Sequence, residues 1–314
     1  PIGGYVTTYF DWRWIFWINL PIGLLGLALA QRYMPNIRAE APRRMDWRGF
    51  ALAGPGVGAL ISGLTLAGTD VVALWFAQAL IAAGFALLVF YIRHALSVPE
   101  PLLDLRLLKL PTFRTSVVGG GLFRLGTGAI PFLLPLMLQV GFGLTPFQSG
   151  MITFSGALGA LLMKFAARPV LRRFGFRQVL TVNALICAAM LGLYALFTPE
   201  TPHIVIGLVL LAGGFFRSLQ FTCLNASAFA DVDEKSMSGA TAMVAVAQQL
   251  FLSTGVAMAA FILETLRAAG DSGQLTPGDF SVAFLVVAGL TALAAIMHGS
   301  LPRDAGRAVS GHRS

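Results

Sequence analysis

Long runs of apolar residues, separated by short polar stretches, recur along the whole of the 314-residue chain. A membrane-spanning helix needs about 20 mostly apolar residues, so each run is a candidate span. No water is present inside the hydrocarbon to satisfy backbone groups, and a helix satisfies them within the segment. The pattern predicts nine spanning helices, at 14–31, 49–69, 72–92, 115–138, 148–167, 178–198, 203–224, 239–265 and 281–300.

Composition separates this interpretation from its main alternative, a large soluble protein with many buried helices. Hydrophobic residues make up 56% of the chain and charged residues 11%. A soluble domain carries about 25% charged residues, which it needs for its water-exposed surface. The chain is too poor in charge for that surface, so the sequence predicts a polytopic α-helical membrane protein.

Basic residues are distributed unevenly between the two sides of the predicted bundle. The gaps that alternate onto one side are 32–48, 93–114, 168–177, 225–238 and 301–314, and they hold 17 of the 22 basic residues. The other side holds only Arg13 and Arg267. Because cytoplasmic loops carry the excess of Lys and Arg, this asymmetry predicts a cytoplasmic C-terminus. It also explains the net charge of +8 without a nucleic-acid partner.

Arg124 lies inside a predicted span, within the run Gly119-Gly120-Gly121-Leu122-Phe123-Arg124. A charge at membrane depth is costly and therefore marks a functional candidate. The glycines allow a neighbouring helix or a substrate to come close, and Pro131 and Pro135 are expected to bend the span. We predict that Arg124 lines a central cavity; the alternative is a structural Arg that caps backbone carbonyls of a neighbouring helix.

A second group of polar residues lies on the span at 203–224, where Arg217 and Gln220 are one helical turn apart and Asn225 follows. Residues three apart are neighbours on a helix surface, and such a face is expected to line a cavity. Gln248 and Gln249 lie in the middle of the next span and are candidates for the same cavity. For the face with Arg217, the alternative is a hydrogen bond that serves packing or gating, and for the two glutamines it is a hydrogen bond between helices.

The predicted cytoplasmic loop 168–177 is short and basic. Arg172, Arg173 and Arg177 surround Gly175, and such charges can hold two helix ends together in one conformation and release them in another. The simpler interpretation is that these charges only set the topology. We keep both the gating role and the topological role as predictions.

Nothing in the sequence predicts an enzyme or a cofactor. There is no nucleotide-binding P-loop motif, the four histidines have no metal-ligand spacing, and Cys187 and Cys223 lie in different apolar runs. No catalytic grouping of Ser, His and Asp is expected at one membrane depth. A membrane-embedded enzyme or scaffold is therefore the weaker alternative to a transporter.

Several motifs resemble those of the 14-helix drug:proton antiporters of the major facilitator superfamily. Residues 1–4, Pro-Ile-Gly-Gly, are similar to the end of the antiporter motif on the fifth helix, and Trp12-Arg-Trp-Ile-Phe-Trp-Ile-Asn-Leu-Pro-Ile-Gly23 resembles the start of the sixth. Residues 172–177 resemble the second-half copy of the cytoplasmic loop motif, although Arg172 stands at the usual acidic position. Arg217-Ser-Leu-Gln220 is similar to the Arg-x-x-Gln motif of the fourth helix.

The resemblance implies an all-α membrane protein with the major facilitator fold. It assigns 1–31 to the end of the first bundle, 32–114 to a linker with two spanning helices and an amphipathic segment, 115–300 to a complete second six-helix bundle, and 301–314 to a cytoplasmic tail. The first five helices, which carry the family's coupling acid, are expected to be missing from this sequence.

The activity that the resemblance implies is export of small amphipathic compounds or drugs across the bacterial cytoplasmic (inner) membrane by alternating access. Protons would drive it, so the expected partners are the lipid bilayer, a small-molecule substrate and protons. Two alternatives are a transporter of one metabolite in the same fold and an inactive fragment.

Overall fold

Helices account for all the regular secondary structure of the described residues. The computed structural model describes residues 5–6, 11, 13–34, 45–67, 72–270, 274–302 and 305–306. The Pro-Ile-Gly-Gly tail, Trp12 and the tail arginines Arg303, Arg307 and Arg313 lie outside these residues. The helices are α1 (Trp14–Tyr33), α2 (Trp47–Ala67), α3 (Leu74–Ser97), α4 (Pro111–Gly141), α5 and α6 (within Pro146–Tyr194), α7 (His203–Ala228), α8 (Met237–Ala269) and α9 (Pro277–Gly299).

The prediction of nine spans agrees with this helix order. Seven helical stretches in the described part of the chain are long and apolar enough to cross a membrane. One of the seven, Pro146–Tyr194, contains two predicted spans, which Gly175 separates with a non-helical backbone (φ 69°, ψ 170°). The remaining predicted span corresponds to α1, which is 20 residues long. The chain is therefore a multi-pass membrane protein.

The predicted loop at 168–177 is largely helical in the structure, which corrects its boundaries. Helix α5 extends from 146 to 174 and α6 from 176 to 194, so only Gly175 interrupts the helical backbone. Hydropathy shows where a helix leaves the hydrocarbon. The helix can continue beyond that point in water, because its backbone hydrogen bonds still form there, so hydropathy alone places the loop too broadly. A positive φ of 69° at Gly175 is a conformation that glycine adopts without the steric cost of a Cβ.

Helices α4 to α9 pack into one bundle. Helix α7 lies along the α5–α6 stretch, α9 packs against that stretch and α4, and α8 packs against α4. One apolar cluster includes Leu133, Met137, Tyr194, Phe280 and Phe284. A second cluster includes Phe123, Met163, Phe176, Leu180 and Cys223. The two clusters hold the bundle together, while outward-facing apolar side chains such as Phe165 and Ile296 remain exposed, as expected for lipid contact.

Helix α4 is the least regular helix of the bundle. It contains π-helical turns at Thr115–Gly119 and Met137–Gly141, and its α-helical segments Gly120–Gly128 and Ile130–Leu136 are separated at Ala129. The interruption lies just before Pro131, which has no N–H for the helical ladder. The irregularity agrees with the bend expected from the prolines, and π-helical turns are frequent at functional sites.

Helices α2 and α3 form a pair that packs against α8, and Asp46 joins this pair to the segment that follows it. Asp46 Oδ1 accepts from the Gly49 N–H at 2.8 Å and contacts His94 Nε2 at 2.9 Å, while Oδ2 accepts from the Leu102 N–H at 3.3 Å. Burial disfavours the charged carboxylate, but these hydrogen bonds outweigh burial and hold the pKa of Asp46 below its ordinary value of 3.8.

Replacing Asp46 with alanine is expected to destabilise the folded protein by about 2 kcal/mol at neutral pH. The reason is that α2 loses its N-terminal cap and His94 loses its hydrogen-bond partner. Since the native pKa is lowered, the ionised carboxylate contributes stability above pH 3.8 that is lost as the pH falls through the native pKa. Denaturant unfolding in detergent at neutral pH and below about pH 3 measures both effects. Replacing the exposed Asp233 with alanine is the control, and an equal loss there would contradict the assignment.

Candidate functional site

Arg124 is fully enclosed between α4 and α7, with 1% of its surface exposed. Its Nη1 donates to the Ser116 carbonyl at 3.0 Å, and its Nη2 donates to Asn225 Oδ1 at 3.3 Å. Its Cζ lies 5.8 Å from the centroid of the Phe221 ring, within the range of a cation–π contact. Arg124 therefore links a π-helical turn of its own helix to two side chains of α7.

The buried charge of Arg124 has no carboxylate partner among the described residues, because no ion pair of Arg124 is found there. Its Nε also has no hydrogen-bond partner in that part of the chain. Neutral oxygens compensate a buried cation less well than a carboxylate does. The carbonyl that Arg124 binds belongs to its own helix rather than to a neighbouring one, and its side chain is buried behind the cavity described below instead of lining it.

Two further hydrogen bonds fix α4 to α7 near Arg124. Ser116 Oγ donates to the Leu224 carbonyl at 2.7 Å, and Thr112 Oγ1 donates to Asp231 Oδ2 at 2.8 Å. These bonds join the start of α4 to the end of α7 and the residues after it. Arg124 is consequently held in a fixed position relative to α7.

An open cavity of about 320 Å³ lies between α4, α7 and α8. A volume of roughly 300 Å³ is at the lower end of the range for small-molecule sites. Most of the lining residues on each helix are three, four or seven positions apart, as one helical face requires, and two pairs are adjacent. They are Thr127, Gly128 and Pro131 from α4, Arg217 and Phe221 from α7, and Gln249, Leu252, Ser253 and Val256 from α8.

Arg217 is the charged residue of this cavity. Its side chain is half-buried, and no hydrogen bond or ion pair joins it to any described residue. On the α8 side of the cavity, Gln249 Nε2 donates to Ser253 Oγ, one turn further along the same helix, at 3.4 Å. The structure thus brings Arg217 and Gln249 to one cavity, and Phe221 connects that cavity to Arg124.

Gln220 lies away from the cavity, on the side of α7 that faces α6. It is fully buried, its Nε2 donates to the Leu180 carbonyl at 3.0 Å, and its Oε1 accepts from Asn183 Nδ2 at 2.8 Å. Asn183 Nδ2 also lies 2.9 Å from the Phe216 carbonyl. The amide of Gln220 is thus used between helices, which is the packing role that was its alternative.

The other two polar candidates are not part of the cavity lining. Asn225 is exposed and contributes its Oδ1 to Arg124. Gln248 is half-buried on α8, next to Gln249 but on a different face of the helix. Of the two neighbouring glutamines, Gln249 is on the face of α8 that lines the cavity.

The basic residues of the predicted gating loop lie at the junction of α5 and α6. Arg172 and Arg173 are exposed, Arg177 is half-buried, and the guanidinium of Arg173 lies 5.6 Å from the centroid of the Phe174 ring. Gly175 provides the break between the helices. Phe176 is 1% exposed and anchors the start of α6 in the bundle core.

Several lining residues, among them Phe221 and Ser253, were not predicted from the sequence. A signal for Phe221 was present, since it lies four residues after Arg217 and so shares its helical face. His298 was also not predicted from the sequence as a candidate. It is fully buried on α9, and neither ring nitrogen has a hydrogen-bond partner among the described residues. A Cβ on Gly119 would lie 2.9 Å from its Nδ1. No grouping of metal ligands occurs in the described residues.

Comparison with known proteins defines the class to which this fold and cavity belong. The model of the Major Facilitator Superfamily matches residues 1–256 and, in a second match, 116–310. The chain therefore belongs to the Major Facilitator Superfamily, a family of transporters rather than enzymes.

Three similar proteins from Salmonella share the same name. The chain is 31% identical over 305 residues to "Putative multidrug resistance protein MdtD" of Salmonella heidelberg, Salmonella typhi and Salmonella typhimurium. Each alignment covers 96% of this chain and 65% of the relative. The chain thus spans slightly less than two thirds of the length of these relatives.

Proposed function

We propose that this chain forms part of a secondary transporter that exports small amphipathic compounds or drugs across the bacterial cytoplasmic membrane. The observation that carries the proposal is the cavity between α4, α7 and α8, which combines Arg217 and Gln249 with apolar and aromatic side chains. Substrate sites of such transporters lie between helical bundles near the middle of the membrane. The name of the relatives supports multidrug export as the activity.

The division of the chain follows from the same proposal. Residues 1–31 would belong to a first bundle, 32–114 would link the bundles, and 115–300 would form the six-helix second bundle with its cavity facing the first. The excess of basic residues supports a cytoplasmic location for 301–314. Rocking of the bundles against one another would expose the cavity to each side of the membrane in turn.

Proton coupling is the remaining part of the proposal, and everted membrane vesicles from cells expressing the transporter of which this chain forms part test it. Respiration acidifies the vesicle interior, and fluorescent or radiolabelled amphipathic compounds are added outside. We expect uptake that requires the pH gradient, stops when a protonophore is added, and is absent from vesicles without the protein. Equal uptake without the gradient would contradict proton coupling and favour facilitated transport of one metabolite.

A further inference from the structure

The cavity between α4, α7 and α8 has an unusual charge for a site that would accept a broad range of drugs. Among the described residues, Arg217 is the only charged one that lines it, and no Asp or Glu does. The acidic residue of α8, Glu264, pairs instead with Arg267 at 2.6 Å, far along the helix from Gln249. A positively charged ligand would therefore meet repulsion and no compensating carboxylate on this wall.

Arg217 is also available for a ligand. No described residue forms a hydrogen bond or ion pair with it, although it is half-buried in a membrane-spanning helix. Charged groups at this depth are costly unless a partner neutralises them. The guanidinium presents several N–H donors in a plane and binds carboxylates with two parallel hydrogen bonds.

The other lining residues indicate the chemistry of the ligand beyond the group that Arg217 would bind. Phe221, Pro131, Leu252 and Val256 provide apolar surface, and Gln249, Ser253 and Thr127 provide neutral hydrogen-bonding groups. Arg124 adds a second positive charge behind this wall, because its Cζ lies 5.8 Å from the Phe221 ring. Buried positive charges raise the local potential and favour an anion over a cation.

We infer that the cavity binds amphipathic organic anions, with Arg217 paired to the carboxylate and Phe221 against the apolar body. This inference rests on the proposed function for its physiological meaning, since it names the substrate class of the proposed export site. A single positive charge in an otherwise neutral lining fits one carboxylate better than several.

The test measures binding to the purified full chain in phosphatidylcholine nanodiscs without any pH gradient. Three probes share one fluorophore and one medium-length alkyl chain, and they end in a carboxylate, its methyl ester or a trimethylammonium group. The carboxylate is expected to bind about 10-fold or more tightly than the other two probes. Arg217→Gln should remove that preference and leave the affinity for the ester unchanged.

Arg93→Gln is the matched control, because Arg93 is an exposed arginine at the end of α3, remote from the cavity. It should keep the full preference for the carboxylate, while Arg217→Lys, which retains the charge but not the planar fork, should keep part of it. Equal weakening of all three probes by Arg217→Gln would overturn the inference and indicate that Arg217 pairs with another part of the protein. Tightest binding of the ammonium probe would overturn it directly.

These outcomes are distinguishable from failure of the proposed export activity. Selective carboxylate binding with no gradient-driven uptake in vesicles would uphold the anion site and contradict proton-coupled export by this chain. Gradient-driven uptake that is insensitive to the charge of the probe would uphold export and overturn the anion site.

Discussion

Replacing Arg124 with methionine should leave the protein folded and lower its transport about 10- to 100-fold. The loss corresponds to about one hydrogen bond of a charged group, which contributes about 1.5–3 kcal/mol. Methionine preserves most of the side-chain volume, so no large cavity forms beside Phe221. It removes a buried charge that no described carboxylate neutralises, and with it the cost of keeping that charge out of water.

The physical reason for the effect on transport is the position of Arg124 between two helices. Its guanidinium joins the π-helical turn of α4 to Asn225 of α7 and lies over Phe221, a residue of the cavity wall. Without Arg124, the side chain of Phe221 would lose its cation–π contact and the α4 turn its carbonyl partner. The expected transport defect rests on the proposed export activity.

The measurement combines gradient-driven uptake in everted vesicles with thermal unfolding of the same purified variant. Lys164→Met is the matched control, since Lys164 also lies within a predicted span (148–167), but it is exposed on α5 and does not line the cavity. It should transport normally. Wild-type uptake by Arg124→Met would show that Arg124 has no part in transport, and a large loss of stability would assign it a purely structural role.

The sequence was sufficient to predict the helices and the two arginines of this region. Nine apolar runs correspond to nine helices, because length and apolarity are what a bilayer requires of a span. Arg124 and Arg217 are conspicuous because each interrupts an apolar run. Neither prediction needed information about which helices are neighbours.

The assignment of side chains to the cavity needed that information. Gln220 and Phe221 lie three and four residues after Arg217, so both are its neighbours on the helix surface. Only the packing of α6 against α7, through Asn183, determines that Gln220 is buried between helices and Phe221 lines the cavity. Ser253 and Thr127 likewise become part of a site only because three helices converge.

The junction of α5 and α6 shows a second limit of prediction from the sequence. A basic stretch predicts where the chain leaves the membrane, but backbone hydrogen bonding continues in water, so the polar pattern places the loop too broadly. Gly175 alone has the non-helical conformation. The sequence contains the residue suited to this break, but it does not show that the helices extend to it from both sides.

Substitution of Gly214 with alanine should destabilise the bundle by about 3 kcal/mol or more, the upper range for overpacking a closely packed interior. Gly214 on α7 faces Gly156 on α5, and a Cβ at Gly214 would overlap the Gly156 carbonyl. On the same pair of helices, a Cβ at Gly159 would overlap the Leu211 carbonyl. The obstacles are backbone atoms, so no rotation of a side chain can relieve the contact.

Gly207→Ala provides a control on the same helical face, because it lies seven residues, or two turns, before Gly214. The nearest atom to a Cβ there is Ser155 Oγ at 3.9 Å, an ordinary van der Waals distance. This variant should change stability by less than about 1 kcal/mol. Thermal unfolding in detergent, with the yield of monodisperse protein as a second readout, compares the two variants.

Equal stability of Gly207→Ala and Gly214→Ala would mean that α5 and α7 do not approach as closely as their glycines allow. The expected difference has a consequence for the cavity, because Phe221 and Arg217 are carried by the same helix as Gly214. A displacement of α7 away from α5 would move both side chains relative to α8. Small residues at this helix contact therefore set the width of the cavity as well as the stability of the bundle.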